Sequence, residues 1–206
     1  MDVFSSADGA AQAQRLLRTV LHAGCGPYHP EKLPPPFREG GWRELRVDAD
    51  PRVRPDVVAP LYCLAAVPTG SVDAVWCPHG LVRLWAHEVP QALRELYRVL
   101  RPEGFALITT PDLQRLAELV AADRMDQEVP SSETGLVTVH DLLFGHGPSL
   151  AAGRVEVAHH TGFSARTLRQ ALLEAGFARV DIHRSGFELR AMAEKAAAGP
   201  GGGARS

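Results

Sequence analysis

Short runs dominated by apolar residues recur along the first half of the chain, and turn-forming residues follow each of them. Polar or proline-containing stretches separate the runs. Runs this short that end in glycine, aspartate or proline are typical of strands in a largely parallel sheet. We therefore predict four strands, over residues 18–23, 42–47, 56–59 and 72–76.

The second half of the chain alternates helical and strand patterns. Leu93, Leu96 and Leu100 recur at helical spacing, and Pro102 with Gly104 ends this helix before the next strand. Ser164 is a typical N-cap residue for a later helix. Helices are predicted over residues 89–100, 113–122 and 164–174, and strands over residues 105–110, 177–183 and 187–192. This alternation indicates an α/β fold.

Two stretches interrupt the alternation. Residues 27–41 contain five prolines, which exclude a long helix because proline lacks the N–H group and restricts the preceding residue. Residues 123–160 are broken by glycines, and we predict only a short helix there, over residues 139–144. Long loops inside compact domains are usually functional. This insertion is therefore expected to form a lid over a binding site or the interface of a homodimer.

Composition and charge limit the classes of protein to which this chain can belong. A chain of 206 residues can bury the core of one domain without metals or disulfides. The formal net charge of −2 gives no basic surface, so we expect no nucleic acid and no membrane as partner. Neither a basic leader nor a long apolar run is present, and we expect a cytoplasmic protein. The predicted divisions are an N-terminal segment (1–17), a single domain (18–195) and a disordered Ala/Gly-rich tail (196–206).

The cysteines and histidines do not form a metal motif. Cys25, Cys63 and Cys77 are odd in number and lack C-x-x-C spacing, which argues against a disulfide framework and a zinc site. The adjacent His159 and His160 seldom converge on one ion. No metal site is predicted, and the simplest interpretation of the cysteines is as small, half-buried apolar residues.

The strongest candidate chemistry lies at the first two strand ends. Gly24 and Gly26 form a turn that lets a ligand approach the backbone, and Asp48 follows the second strand. A carboxylate in that place can accept both hydroxyls of a ribose. Asp50 is the competing residue, because Asp-Pro sequences favour turns.

Three motifs together resemble those of a known family. They read His22-Ala23-Gly24-Cys25-Gly26, then Val47-Asp48-Ala49-Asp50-Pro51, then Arg98-Val99-Leu100-Arg101-Pro102-Glu103-Gly104. In order and spacing they resemble the class I S-adenosylmethionine-dependent methyltransferases, and most closely the small type 11 group. The resemblance covers roughly residues 18–190. It implies a Rossmann-like, mainly parallel seven-stranded sheet with an antiparallel C-terminal strand pair, and S-adenosylmethionine as cofactor.

The resemblance also implies roles for individual residues. The first motif would carry the amino-acid portion of the cofactor, Asp48 its ribose, and Cys63 with the N–H of Leu64 its adenine. The chain departs from the family pattern at His22, Tyr28, Cys63 and Arg83. The cofactor-binding residues expected on this basis are His22, Ala23, Gly24, Cys25, Gly26, Asp48, Ala49, Cys63, Leu64, Cys77 and His79.

The function implied is methyl transfer to a small molecule or a sugar-like hydroxyl. Such a transfer needs positioning, and a base if the acceptor is a hydroxyl. Candidates for the base are His140, His146, His159 and His160, all in the insertion. The alternative is a degenerate relative that binds the cofactor weakly and acts through a partner. A nicotinamide-dependent oxidoreductase is disfavoured, because no third glycine completes the turn.

Overall fold

One twisted sheet of seven strands organises the molecule. The computed structural model describes residues 17–131 and 135–197, so most of the predicted N-terminal segment and of the C-terminal tail lies outside the described residues. The strand order is β3-β2-β1-β4-β5-β9-β8. These strands are β1 (Arg18–Ala23), β2 (Trp42–Asp48), β3 (Val57–Val58), β4 (Val72–Pro78), β5 (Leu100–Pro111), β8 (Arg179–Ser185) and β9 (Glu188–Glu194).

The connections fit the predicted fold class. Strands β1 to β5 pair in parallel, whereas β9 is antiparallel to both β5 and β8. The chain moves outward from β1 to β3 and then crosses back to β4, so the order reverses between β1 and β4. Ligands of open α/β sheets bind beside such a reversal, at the carboxyl ends of the strands. The mainly parallel sheet with its antiparallel C-terminal pair is confirmed.

Two of the predicted helices close one face of the sheet. Helix α2 (Val89–Val99) buries one side of its surface, and α6 (Ala165–Glu174) begins at Ser164, which forms a capping box with Thr167. Their leucines pack on β1, β4 and β5 in the main core. The core includes Leu21, Val75, Leu93, Leu96, Ile108, Leu168 and Leu172.

The opposite face has a thinner cover because of the prolines. Residues 27–41 form only a 3₁₀ turn (Pro30–Lys32) and the one-turn helix α1 (Pro35–Arg38). Phe37 is buried there against Trp42 and Phe105, with ring centroids 4.9 and 6.2 Å away. The prediction that no long helix follows the glycine turn is confirmed, and the turn needs another means of support.

The insertion contains more structure than predicted. Helix α3 (Leu113–Ala121) leads into a hairpin of β6 (Glu128–Ser131) and β7 (Gly135–Thr138), and helix α4 (Val139–Phe144) has the predicted bounds. Helix α5 (Gly147–Ala151) and a 3₁₀ turn (Val155–Val157) follow. Within the described residues, no helix has the length and apolar character needed to cross a membrane.

Candidate functional site

A cavity of about 1780 Å³ opens at the carboxyl ends of β1, β2 and β4. The glycine turn, the end of β2, the loop after β3 and the end of β4 form one side of it. The insertion forms the other side. Residues from the first side are His22, Gly24, Cys25, Gly26, Asp48, Ala49, Asp50, Ala59, Pro60, Leu61, Tyr62, Pro78, His79 and Gly80. Those from the insertion include Asp141, Leu142, His146, Ser149, Arg154, His159 and His160.

Asp48 is fixed by two backbone N–H groups. Its Oδ2 accepts a hydrogen bond of 2.8 Å from Gly26 N, and its Oδ1 accepts one of 2.9 Å from Asp50 N. A carboxylate oxygen has two lone pairs, so each oxygen keeps one for another donor. Asp50 instead caps the turn at Pro51–Val53 and pairs with the Arg52 side chain at 2.8 Å. Asp48 thus offers the acceptors that two vicinal hydroxyls require.

Side chains support the glycine turn in place of a helix. Gly24 and Gly26 adopt φ of 68° and 58°, where a side chain is disfavoured. Arg46 donates to Gly26 O at 2.6 Å and to Arg54 O at 2.9 Å, and Lys32 Nζ donates to Cys25 O at 3.2 Å. The sequence analysis did not identify Arg46 or Lys32 as residues that support this turn. The position of Arg46 two residues before Asp48 was the available signal.

His22 replaces the acid of the family motif, and a neighbouring strand supplies a carboxylate. His22 Nδ1 lies 2.7 Å from Glu44 Oε1, and only 1% of the residue is exposed. Nε2 is buried and has no hydrogen-bond partner among the described residues. In the parallel pairing of β1 with β2, Glu44 lies beside Val20. Val20 and His22 are two residues apart on β1, so Glu44 and His22 lie on the same face of the sheet. The pairing of β1 with β2 was needed to find Glu44.

Two residues expected to contact the adenine, Cys63 and Leu64, lie outside the cavity lining. The N–H of Leu64 donates to Glu95 Oε2 at 2.8 Å, and the Leu64 side chain is buried in the core. Neither Leu64 nor the exposed Cys63 lines the cavity, and the Leu64 N–H already has a partner, so the structure does not bring these two residues to the cavity. The hydrogen bond from Arg98, together with that from the Leu64 N–H, lowers the pKa of Glu95. The cavity wall here is formed by Leu61 and Tyr62.

Burial affects two of the cysteines, Cys25 at the cavity and Cys77 in the core. Burial raises the pKa of Cys25 to about 11 and that of Cys77 to about 12. Cys25 borders the cavity, whereas Cys77 is enclosed in the core and does not. Neither thiol therefore acts as a nucleophile near neutral pH.

His79 and Glu188 form a partly buried hydrogen bond across the end of the sheet. Its Nε2 lies 3.0 Å from Glu188 Oε1, and Glu188 Oε2 accepts from Arg190 Nε at 2.9 Å. His79 adopts a left-handed backbone at φ 48°, which turns the chain at the end of β4. All three side chains border the cavity. Glu188 lies 109 residues from His79, and no sequence signal joins them.

The histidines of the insertion are only partly brought together. His146 bonds Ser149 Oγ at 2.7 Å, His159 bonds Leu142 O at 3.0 Å, and the His160 ring stacks on Trp85 at 4.1 Å. These three histidines line the cavity, whereas the exposed His140 packs on Phe144 and does not.

Two contacts hold the insertion against the sheet end. The N–H groups of His160 and Thr161 donate to Val82 O at 2.7 and 3.2 Å. Arg52, from the turn after Asp48, reaches Glu156 at 3.5 Å. Within residues 17–131 and 135–197, His, Cys, Asp and Glu form no group of three or more that suits a metal ion.

Comparison with known proteins shows which proteins this chain is similar to. Residues 21–108 match the family model described as a methyltransferase domain. The malonyl-[acyl-carrier protein] O-methyltransferase of Enterobacter lignolyticus is 34% identical over 127 residues, which are 57% of this chain and 48% of that protein. The same enzyme of Serratia marcescens is 34% identical over 109 residues, or 48% of this chain and 41% of that protein. The chain thus spans less than half the length of these relatives.

Solved structures agree in fold. A SAM-dependent methyltransferase from Archaeoglobus fulgidus superposes with a TM-score of 0.57 at 15% identity, covering 92% of both chains. The 1,6-didemethyltoxoflavin-N1-methyltransferase of Burkholderia thailandensis, crystallised with S-adenosylhomocysteine, gives 0.54 at 18% identity, covering 93% of this chain and 77% of that one. Residues 21–108 thus match a methyltransferase domain of the type 11 group, and the chain has the fold of the class I S-adenosylmethionine-dependent methyltransferases.

Proposed function

We propose that the protein transfers the methyl group of S-adenosylmethionine to a hydroxyl of a small or sugar-like molecule. The proposal that the cofactor binds here rests on the orientation of the Asp48 carboxylate. Gly26 and Asp50 orient its carboxylate, and one lone pair on each oxygen is left over. This arrangement suits the two hydroxyls of a ribose.

The other residues of the cavity fit the rest of the cofactor. The left-handed glycines leave the backbone of residues 24–26 open to the methionine portion, and Lys32 lies beside that turn. Leu61 and Tyr62 form an apolar wall for the adenine. When bound, S-adenosylmethionine supplies a methyl group on a positively charged sulfur. The protein's task is to hold that group and the acceptor in line.

The acceptor is proposed to bind between the insertion and the end of β4. The cavity is larger than a single small ligand needs, which leaves room for a second molecule beside the cofactor. Its walls there carry His79, His146 and Ser149. The insertion acts in this proposal as a lid, and a homodimer interface on its outer surface is the competing role. We retain a cytosolic location as part of the proposal.

A carboxylate acceptor is the second candidate. The curated relatives are named for methylation of a malonyl group carried on a protein. Arg83, Arg154 and Arg190 line this cavity, and guanidinium groups suit the recognition of carboxylates. A carboxylate needs no base, because it is ionised at neutral pH.

Radioactive methyl transfer distinguishes the candidates. The protein is incubated with S-adenosylmethionine labelled on the methyl group and with phenol, methyl glucoside or malonyl-coenzyme A as acceptor. The proposal expects label in the phenol or the glycoside. Label only in malonyl-coenzyme A would favour the second candidate. A protein that neither transfers label nor binds S-adenosylhomocysteine would contradict both and support a degenerate relative.

A further inference from the structure

The His79 ring is held in one tautomer by its surroundings. Glu188 accepts from Arg190 on one oxygen and meets His79 Nε2 on the other. A carboxylate paired with a guanidinium accepts hydrogen bonds and donates none. His79 Nε2 must therefore carry the proton, and Nδ1 presents a lone pair.

That lone pair has no partner in the part of the chain that the structure describes. Nδ1 of His79 takes part in no hydrogen bond there, and it is not among the fully buried polar atoms, so solvent reaches it. The side chain is 9% exposed, and His79 borders the cavity at the end of β4. A nearly buried imidazole with a fixed tautomer and one open nitrogen is suited to accept a proton.

We infer that His79 is the general base of the methyl transfer and that Glu188 is its positioning residue; this inference rests on the proposed hydroxyl acceptor. The acceptor oxygen forms a bond to the methyl carbon while the bond from that carbon to sulfur breaks. The electron pair stays on sulfur, and the hydroxyl proton passes to His79 Nδ1. Glu188 then stabilises the imidazolium through Nε2, as a carboxylate does behind a catalytic histidine.

The other ionisable groups around the cavity fit this role less well. His146 bonds the hydroxyl of Ser149 and His159 bonds the backbone carbonyl of Leu142, whereas His79 bonds a carboxylate directly. Arg83 and Arg190 also face the cavity, and Asp141 is held by the capping box of α4 and by the Gly147 N–H. Burial opposes ionisation of Asp141, but the hydrogen bonds from Gly147 and Thr138 lower its pKa. His79 thus bonds directly to a carboxylate, that of Glu188, at the end of β4.

Nitrogen NMR tests the tautomer without any acceptor. The protein is labelled with ¹⁵N-histidine and saturated with S-adenosylhomocysteine, and Nδ1 and Nε2 of His79 are assigned by comparison with His79→Gln. At pH 8 the inference expects a protonated Nε2 and a bare Nδ1, and a mixture of tautomers in Glu188→Gln. A protonated Nδ1 in the wild-type protein would overturn it, because that nitrogen could not accept a proton.

Kinetics tests the role of the base. With the hydroxyl acceptor found by methyl transfer, His79→Gln should lose about 10²–10⁴-fold in kcat with little change in KM for the cofactor. Glu188→Gln should lose less, and His87→Gln, an exposed histidine outside the cavity, should lose nothing. Equal rates for His79→Gln and the wild type would overturn the inference, whereas failure to bind S-adenosylhomocysteine would refute the proposed function.

Discussion

The backbone N–H of Gly26 donates a hydrogen bond of 2.8 Å to Oδ2 of Asp48. This bond joins the turn after β1 to the end of β2, the two places where a nucleoside cofactor makes its polar contacts. In this chain no long helix follows the turn, so side chains from β2 replace the support that a helix would give. The cofactor side of the cavity is therefore shaped before any ligand binds.

The first prediction concerns Arg46. Replacing Arg46 by alanine removes the hydrogen bonds to Gly26 O and Arg54 O and leaves the glycine turn free to move. We expect the affinity for S-adenosylhomocysteine to fall by roughly tenfold, the effect of one lost charge-assisted hydrogen bond. Calorimetry measures the change. Arg43→Ala is the control, because Arg43 lies on the same strand and contacts Thr19. An equal loss in both variants would rule out a specific role for Arg46.

The second prediction concerns the pair of His22 and Glu44. Glu44→Ala leaves both nitrogens of the buried imidazole without a partner within the described residues. A buried polar group without its partner costs about 1–3 kcal/mol, and we expect this loss in the free energy of unfolding measured with urea. The exposed Glu39 provides the control variant Glu39→Ala. If the two variants are equally stable, the pair does not stabilise the fold.

The third prediction concerns the thiols. Burial raises the pKa of Cys25 to about 11 and that of Cys77 to about 12, whereas Cys63 is exposed. At pH 8 iodoacetamide should therefore alkylate Cys63 first, because thiolates react and neutral buried thiols do not. Mass spectrometry of peptides gives the order of modification. Alkylation of Cys25 as fast as Cys63 would show that the glycine turn opens readily in solution.

The fourth prediction concerns Glu95, which holds the loop after β3. Hydrogen bonds from Arg98 and the Leu64 N–H lower its pKa in the folded protein. A lowered pKa stabilises the fold above the ordinary value of the carboxyl group, and this contribution is lost as the pH falls through the folded-state value. Glu95→Gln should thus be less stable than the wild type near neutral pH.

The pH profile of that stability difference provides the check. Urea titrations of Glu95→Gln and the wild type should converge as the solution is acidified. Glu118→Gln, which breaks an exposed pair with Arg115 at the same i,i+3 spacing, should differ little from the wild type at any pH. A difference for Glu95→Gln that does not shrink in acid would mean that its cause is packing and not charge.

The sequence predicted the features that depend on residues close together in the chain, and it missed the contacts between residues far apart in the chain. The bounds of α4 and α6 followed from local capping and spacing, and Asp48 followed from its place after a strand. Glu44 and Glu188 reach their histidines through sheet pairing, and Glu95 reaches Leu64 across 31 residues. The hairpin of β6 and β7 was missed because four-residue strands show too little alternation.

Calorimetric titration with S-adenosylhomocysteine tests the central claim, that Asp48 holds the ribose of the cofactor. The wild type should bind with one ligand per chain. Asp48→Ala should weaken binding by roughly tenfold or more, and Asp50→Ala should stay close to the wild type, because Asp50 is engaged with Arg52. No binding to the wild type, or a loss with Asp50→Ala and none with Asp48→Ala, would contradict the account.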